Sequence, residues 1–159
     1  MFYQVDPTNT TDVWLTPPSI INSLGKFDLD PCCPNNLPWK TAETFYSLEN
    51  GQDGLSLPWE GRVWANFPYS NWVPFTEKLK NHGNGISLMF ARTETKGWHS
   101  HIWNDADSIL FLKGRVKFIK SDFKTTGSST APSVLIAYGK NNTEALKNCG
   151  LAGKLIHLN

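Results

Sequence analysis

The chain has 159 residues, 40% hydrophobic and 18% charged, the composition of one globular domain with a full core and no long disordered tail. No stretch approaches the roughly 20 apolar residues of a membrane span, the N-terminus lacks a secretory pattern, and three cysteines (Cys32, Cys33, Cys149) form neither a disulfide framework nor a zinc spacing, so a reducing cytoplasm is expected. The net charge of +1 hides a division: residues 1–77 carry three basic against nine acidic residues and 78–124 carry nine against four, which reads as one surface for a cationic small molecule and another for a polyanion.

In chain order, Thr16-Pro17-Pro18 opens a helix through about Leu24, with Thr16 as the expected N-cap and Gly25 as the stop. Phe27–Asp30 reads as a short strand ended by Pro31. Residues 32–60 read as irregular, with one helical turn near Ala42–Phe45. Val63–Ala65 is a strand, Trp72–Asn81 a helix, Ile86–Phe90 a buried strand and Lys96–Asn104 a helix. Asp107–Leu112 is a strand, Lys113-Gly114 a tight turn, and Arg115–Ile119 its expected hairpin partner. Residues 121–131 read as loop, Ser133–Tyr138 as a strong strand and Asn142–Asn148 as a short helix before Lys154–Leu158. Strand-length apolar runs alternating with helical segments predict an α/β fold.

Open α/β sheets bind ligands beyond the carboxyl ends of their strands, so polar residues there are the site candidates. Asn66-Phe67-Pro68-Tyr69 follows Val63-Trp64-Ala65 directly. Asn66 brings a side-chain acceptor, Phe67 a backbone carbonyl, and Tyr69 a flat aromatic face, while Pro68 removes a competing N–H and stiffens the turn. Two convergent acceptors beside a ring suit an exocyclic amino group on a planar heterocycle, such as adenine N6. Asp30 ends the strand before Pro31, Arg92 lies just beyond Phe90, and Asp53 lies thirteen residues before Asn66. Lys113, Arg115, Lys117, Lys120 and Lys124 make a run suited to phosphate contacts, and Arg92 and Arg115 each present a guanidinium fork. His99 and His101 alternate, but no third and fourth ligand lies at a recognisable spacing, so no metal site is expected.

Several segments resemble the small phage-type DNA N6-adenine methyltransferase family, over about Asp12 to Tyr138. Asn66-Phe67-Pro68-Tyr69 is similar to its Asp/Asn/Ser-Pro-Pro-aromatic motif, with Phe67 in place of the first proline. Leu29-Asp30-Pro31-Cys32 resembles its first cofactor motif, which continues in glycines where this chain has Pro34 and Asn35. Asp53-Gly54-Leu55 resembles its Asp-x-Leu element, and Asp12, Trp14, Thr16 and Pro17 resemble its opening Asp-x-Trp-x-Thr-Pro segment. Phe90–Thr95, Trp98-His99, Phe111–Phe118 and Ala131–Ser133 continue the order.

The resemblance implies a compact, single-domain Rossmann-like class I methyltransferase over residues 1–159, with a mostly parallel sheet and a basic β-hairpin. It implies methyl transfer from S-adenosylmethionine to adenine N6 in double-stranded DNA, without metal or covalent intermediate, in a bacterial cytoplasm from a phage or prophage gene. Asn66, Phe67, Pro68 and Tyr69 are then catalytic. Trp14, Thr16, Pro17, Asp30, Pro31, Asp53 and Asn66 face the cofactor, and Arg92, Lys113, Arg115, Lys117 and Lys120 face DNA. Glu43 or Glu49 is left to stand for a ribose-binding acid. The chemistry of Asn66–Tyr69 serves cytosine N4 or RNA equally well, and a non-catalytic DNA-binding protein on a decayed methyltransferase fold is the alternative from another class.

Overall fold

A computed structural model describes residues 14–129 and 131–159; Asp12 of the expected opening segment lies outside them. Seven strands form one sheet: β1 (Leu29–Asp30), β2 (Thr44–Phe45), β3 (Val63–Ala65), β4 (Gly85–Phe90), β5 (Ser108–Leu112), β8 (Ser133–Tyr138) and β9 (Gly153–His157), in the order β2-β1-β3-β4-β8-β5-β9. The ladders from β2 to β4 are parallel, and β8 is antiparallel to both β4 and β5. β5 therefore runs the same way as β1 to β4. β9 is reversed again against β5, so the sheet is mixed, with five of its seven strands in one direction.

Both faces are covered, which is why β4 and β8 read as near-continuous apolar runs. On one face, α2 (Trp72–His82) and α3 (Lys96–His101) bury Phe75, Leu79, Trp98 and Ile102 against Ala65, Met89, Ile109, Val134 and Ile136. On the other, α1 (Pro18–Ser23) and α4 (Lys140–Asn148) bury Ile20, Ile21 and Leu146 against Trp64, Ile86, Leu88, Leu110 and Leu135. Successive strand residues fall on opposite faces, as the two-residue period requires. Among the described residues no helix is long and apolar enough to cross a membrane.

Three expectations are corrected. Residues 42–45 hold no helical turn: Thr44–Phe45 pairs in parallel with Leu29–Asp30, and Tyr46 N–H donates to the Asp30 carbonyl at 2.9 Å. Two residues are too few to carry a period. The basic segment does not pair with β5, because both edges of β5 are taken by β8 and β9. Instead β6 (Lys117–Ile119) pairs with β7 (Thr126–Ser128), a strand inside the segment read as loop. Thr16 is not the N-cap of α1; Pro17 occupies that position, with no side-chain cap bond.

The connection from β2 to β3 folds back against the end of β1. A Cβ on Gly54 would lie 2.2 Å from the Pro31 carbonyl oxygen, so only glycine allows this approach. Lys78, on α2, pins the same loop by donating to the carbonyls of Gly54, Leu55 and Leu57 at 3.2, 2.8 and 2.5 Å. Gly54→Ala is expected to destabilise the protein by about 1–3 kcal/mol through forced displacement of backbone, read as a lower urea midpoint at unchanged slope.

Candidate active site

The chain passes from β1 to β2 on one side and returns to β3 on the other, so β1 and β3 flank the point where the strand order reverses. Their carboxyl ends, carrying Asp30 and Asn66, are neighbours. A crevice forms at such a place in open α/β sheets. Here it is a pocket with roughly 450 Å³ of empty space, partly open to solvent, lined by Trp14, Thr16, Asp30, Asn66, Phe67, Pro68 and Tyr69 among the predicted residues. Leu15, Cys32, Pro34, Leu37, Thr41 and Trp64 complete the lining. Pro17 and Pro31 are outside it, as is Asp53, which accepts from Leu55 N–H at 2.9 Å beside the turn after Asp30.

Asn66 is held by its amide nitrogen. Nδ2 donates to the Trp14 carbonyl at 2.5 Å and to Thr16 Oγ1 at 3.2 Å. Both amide hydrogens are thereby engaged, and the side-chain oxygen is the atom positioned to accept from a ligand. The next side chain turns away: Phe67 is 3% exposed and stacks on Phe75 at 5.1 Å and 21°. Its bulk belongs to the core under α2 and fixes the strand end that carries its carbonyl. Tyr69 lies parallel to Phe90, with centroids 3.9 Å apart and planes at 13°. One ring face is thus covered from β4. Burial pushes the Tyr69 phenol up, so it stays neutral.

Among the described residues, Asp30 is a buried carboxylate with neutral partners. It accepts from Thr41 Oγ1 at 2.5 Å and from Cys32 N–H at 3.0 Å, and no ion-pair partner reaches it among the described residues. Burial raises its pKa to about 6 against the lowering effect of those bonds. A buried acid without a cation suits a positively charged ligand. Burial, then the Asp30 charge, pushes the Cys33 thiol up to about 12, so it remains an unreactive thiol. Of the two candidate ribose acids, Glu43 precedes β2, at its amino end, and is exposed in an ion pair with Lys40 at 3.2 Å. Glu49 follows β2 and so lies beyond the same sheet edge as Asp30.

The basic residues gather at that edge too. Arg92 and Lys113 follow the carboxyl ends of β4 and β5, and the Arg92 guanidinium is 5.9 Å from the centre of the Phe90 ring. Lys113, Arg115, Lys117 and Lys120 are exposed, Arg115 reaching the Ser129 carbonyl at 3.5 Å. The β6–β7 hairpin is bound to the pocket wall. Leu15 and Ile119 exchange two backbone hydrogen bonds of 2.9 Å, Phe118 meets Trp14 edge-on at 5.7 Å, and Phe123 at the tip meets Trp39 at 6.3 Å. Sequence reasoning missed Thr41, Phe90 and Lys78. Phe90 alone carried a signal, its position at the end of a strand; the other two matter through contacts across 11 or more residues. Among the described residues no group of three or more His, Cys, Asp or Glu side chains is arranged to hold a metal ion.

The family model for DNA N-6-adenine-methyltransferase (Dam) matches residues 5–148. No curated protein matches the chain.

The Asp30 carboxyl gives the ligand-free protein a pH signature. Its folded pKa of about 6 lies above its ordinary 3.8, so its contribution is fully present below pH 3.8 and is lost as pH rises through 6. The loss is on the order of 2–3 kcal/mol. Urea unfolding at pH 4.5 and 7.5 is expected to show that difference shrinking in Asp30→Asn relative to the parent protein.

Proposed function

The chain belongs to the DNA N-6-adenine-methyltransferase (Dam) family, and from that membership we propose that it transfers a methyl group from S-adenosylmethionine to adenine N6 in DNA, as one Rossmann-like class I domain. The observation that carries the proposal is the hold on Asn66, whose amide hydrogens are engaged by Trp14 and Thr16, which leaves its oxygen as the acceptor at the strand end. S-adenosylmethionine, when bound, supplies an electrophilic methyl group on a sulfonium centre. The residues present fit it: Asp30 offers a buried carboxylate that no cation neutralises among the described residues, in a crevice that it shares with Asn66 and Tyr69. By the family resemblance Asp53, beside the turn after Asp30, would accept from the amino group of its adenine. Glu49, beyond the same sheet edge as Asp30, is the better placed of the two candidate ribose acids.

The chain's own residues act on the acceptor amine. The N6 lone pair is delocalised into the adenine ring, which makes it a weak nucleophile. Asn66 Oδ1 and the Phe67 carbonyl each accept one N6 hydrogen, which favours a pyramidal nitrogen with its lone pair directed out of the ring. Neither acceptor is a base, so they orient the amine without first removing its proton. One N6 proton is released to solvent as the N6–methyl bond forms and the sulfonium is converted to a neutral thioether. Tyr69, backed by Phe90, offers its remaining face to the flipped base, whose extrusion costs a few kcal/mol. Arg92, Lys113, Arg115, Lys117 and Lys120 supply compensating phosphate contacts.

Asn66→Ala is expected to lower methylation of DNA adenine by about 10²–10³-fold, measured by transfer of labelled methyl with N6-methyladenine identified in the digested product. Near-normal turnover would remove Asn66 from the mechanism. Absence of thermal stabilisation by S-adenosylmethionine or its demethylated product would favour the non-catalytic binder.

Reversing the charges of Arg115, Lys117 and Lys120 is expected to weaken DNA binding on every sequence and to flatten its salt dependence by about 0.9 per lost phosphate contact. Unchanged binding at all salt concentrations would make the hairpin a solvated surface.

A further inference from the structure

The segment Trp14-Leu15-Thr16 touches both the strand end carrying Asn66 and the basic hairpin. On one side, the Trp14 carbonyl and Thr16 Oγ1 accept the two Asn66 amide hydrogens, at 2.5 and 3.2 Å. On the other, Leu15 is bridged to Ile119 of β6 by a reciprocal pair of 2.9 Å backbone hydrogen bonds, and the Trp14 ring packs on Phe118. Thr16 is 4% exposed and Leu15 6%, so the segment is clamped rather than draped. The helix that follows does not need the Thr16 hydroxyl, because Pro17 is the N-cap.

We propose that Thr16 is a positioning residue for Asn66, and that residues 14–16 form a strap through which the hairpin holds the Asn66 amide in its productive orientation. The inference rests on the proposed function for the role of Asn66, and it departs from the sequence expectation that Trp14 and Thr16 serve the cofactor. The physical basis is the ambiguity of an amide. Oδ1 and Nδ2 have nearly the same shape and opposite hydrogen-bonding character, so an unrestrained Asn66 rotates by about 180° to present hydrogens where an acceptor is required. The Trp14 carbonyl accepts only, which selects the nitrogen. The Thr16 oxygen takes the second hydrogen and stops the amide plane from swinging. Because the Trp14 carbonyl is backbone, its placement depends on the Leu15–Ile119 bridge, and so on the hairpin that carries Lys117 and Lys120.

Thr16→Val keeps the shape and removes the acceptor. The expected result is a roughly 10- to 100-fold fall in kcat, in keeping with the sensitivity of catalysis to small misplacements. Affinity for S-adenosylhomocysteine by calorimetry and for a DNA duplex should each stay within about twofold of the parent protein, and Thr16→Ser should restore kcat. A loss of S-adenosylhomocysteine affinity at unchanged saturated kcat would overturn the proposal and make Thr16 a cofactor contact, as would no change in either quantity. A second measurement needs no variant. In the parent protein the Asn66 side-chain amide hydrogens should exchange with solvent markedly more slowly than those of exposed Asn36, and equal rates would overturn the clamp. The exchange result stands whether or not Asn66→Ala loses activity, so failure of the strap and failure of the methyltransferase reading are separable.

Discussion

The pocket depends on the parallel pairing of β1 with β3. That one neighbour relation, Leu29 against Val63, sets the ends of two strands side by side where the chain changes direction across the sheet. Asp30 and Asn66 are more than 30 residues apart in sequence, and each is the polar residue at which an apolar run stops. Parallel register puts both on the same edge. Without it, a lone carboxylate and a lone amide would sit on unrelated surfaces.

Around that edge the protein divides its labour by packing. Phe67 gives its side chain to the core, stacked on Phe75, while its place at the strand end keeps it on the pocket lining. The stiffening that a second proline would provide is replaced here by burial. Tyr69 is braced from behind by Phe90, with Arg92 beyond. Lys78 performs the corresponding task for the loop carrying Asp53, satisfying three carbonyls at the turn pressed against Pro31. A glycine-free turn after Asp30 is thereby compatible with a well-formed strand end, because the close approach is made by Gly54 from the neighbouring loop.

Charge follows the same geometry. The acidic N-terminal half brings Asp30, Asp53 and Glu49 to the β1 side of the pocket. The basic segment brings Arg92 and Lys113 to the ends of β4 and β5, and the β6–β7 hairpin across the wall formed by Trp14 and Leu15. A cationic small molecule and a polyanion can approach one edge from adjacent directions, each meeting the opposite charge. The hairpin is joined to this edge through Leu15 and Ile119 rather than through the main sheet, so the surface proposed for DNA and the wall that orients Asn66 share one backbone ladder.

The amino-acid sequence by itself determined the α/β class, the strands β3, β4, β5 and β8, the helices that cover them, and the identity of the residues at the strand ends. Those features are local: apolar runs such as Gly85–Phe90 and Ser133–Tyr138 are long enough to declare themselves, and Asn66-Phe67-Pro68-Tyr69 has its chemistry in four consecutive residues. Tertiary structure decided what depends on partners distant in the chain. Thr44–Phe45 became a strand because β1 had a free edge, and the basic segment found β7 because β5 had none. Thr16, legible as a helix cap, turned its hydroxyl to Asn66 50 residues away once Pro17 took the cap position. Local patterns record burial and backbone preference, whereas the choice of hydrogen-bonding partner is made only after the sheet order has brought the competing groups together.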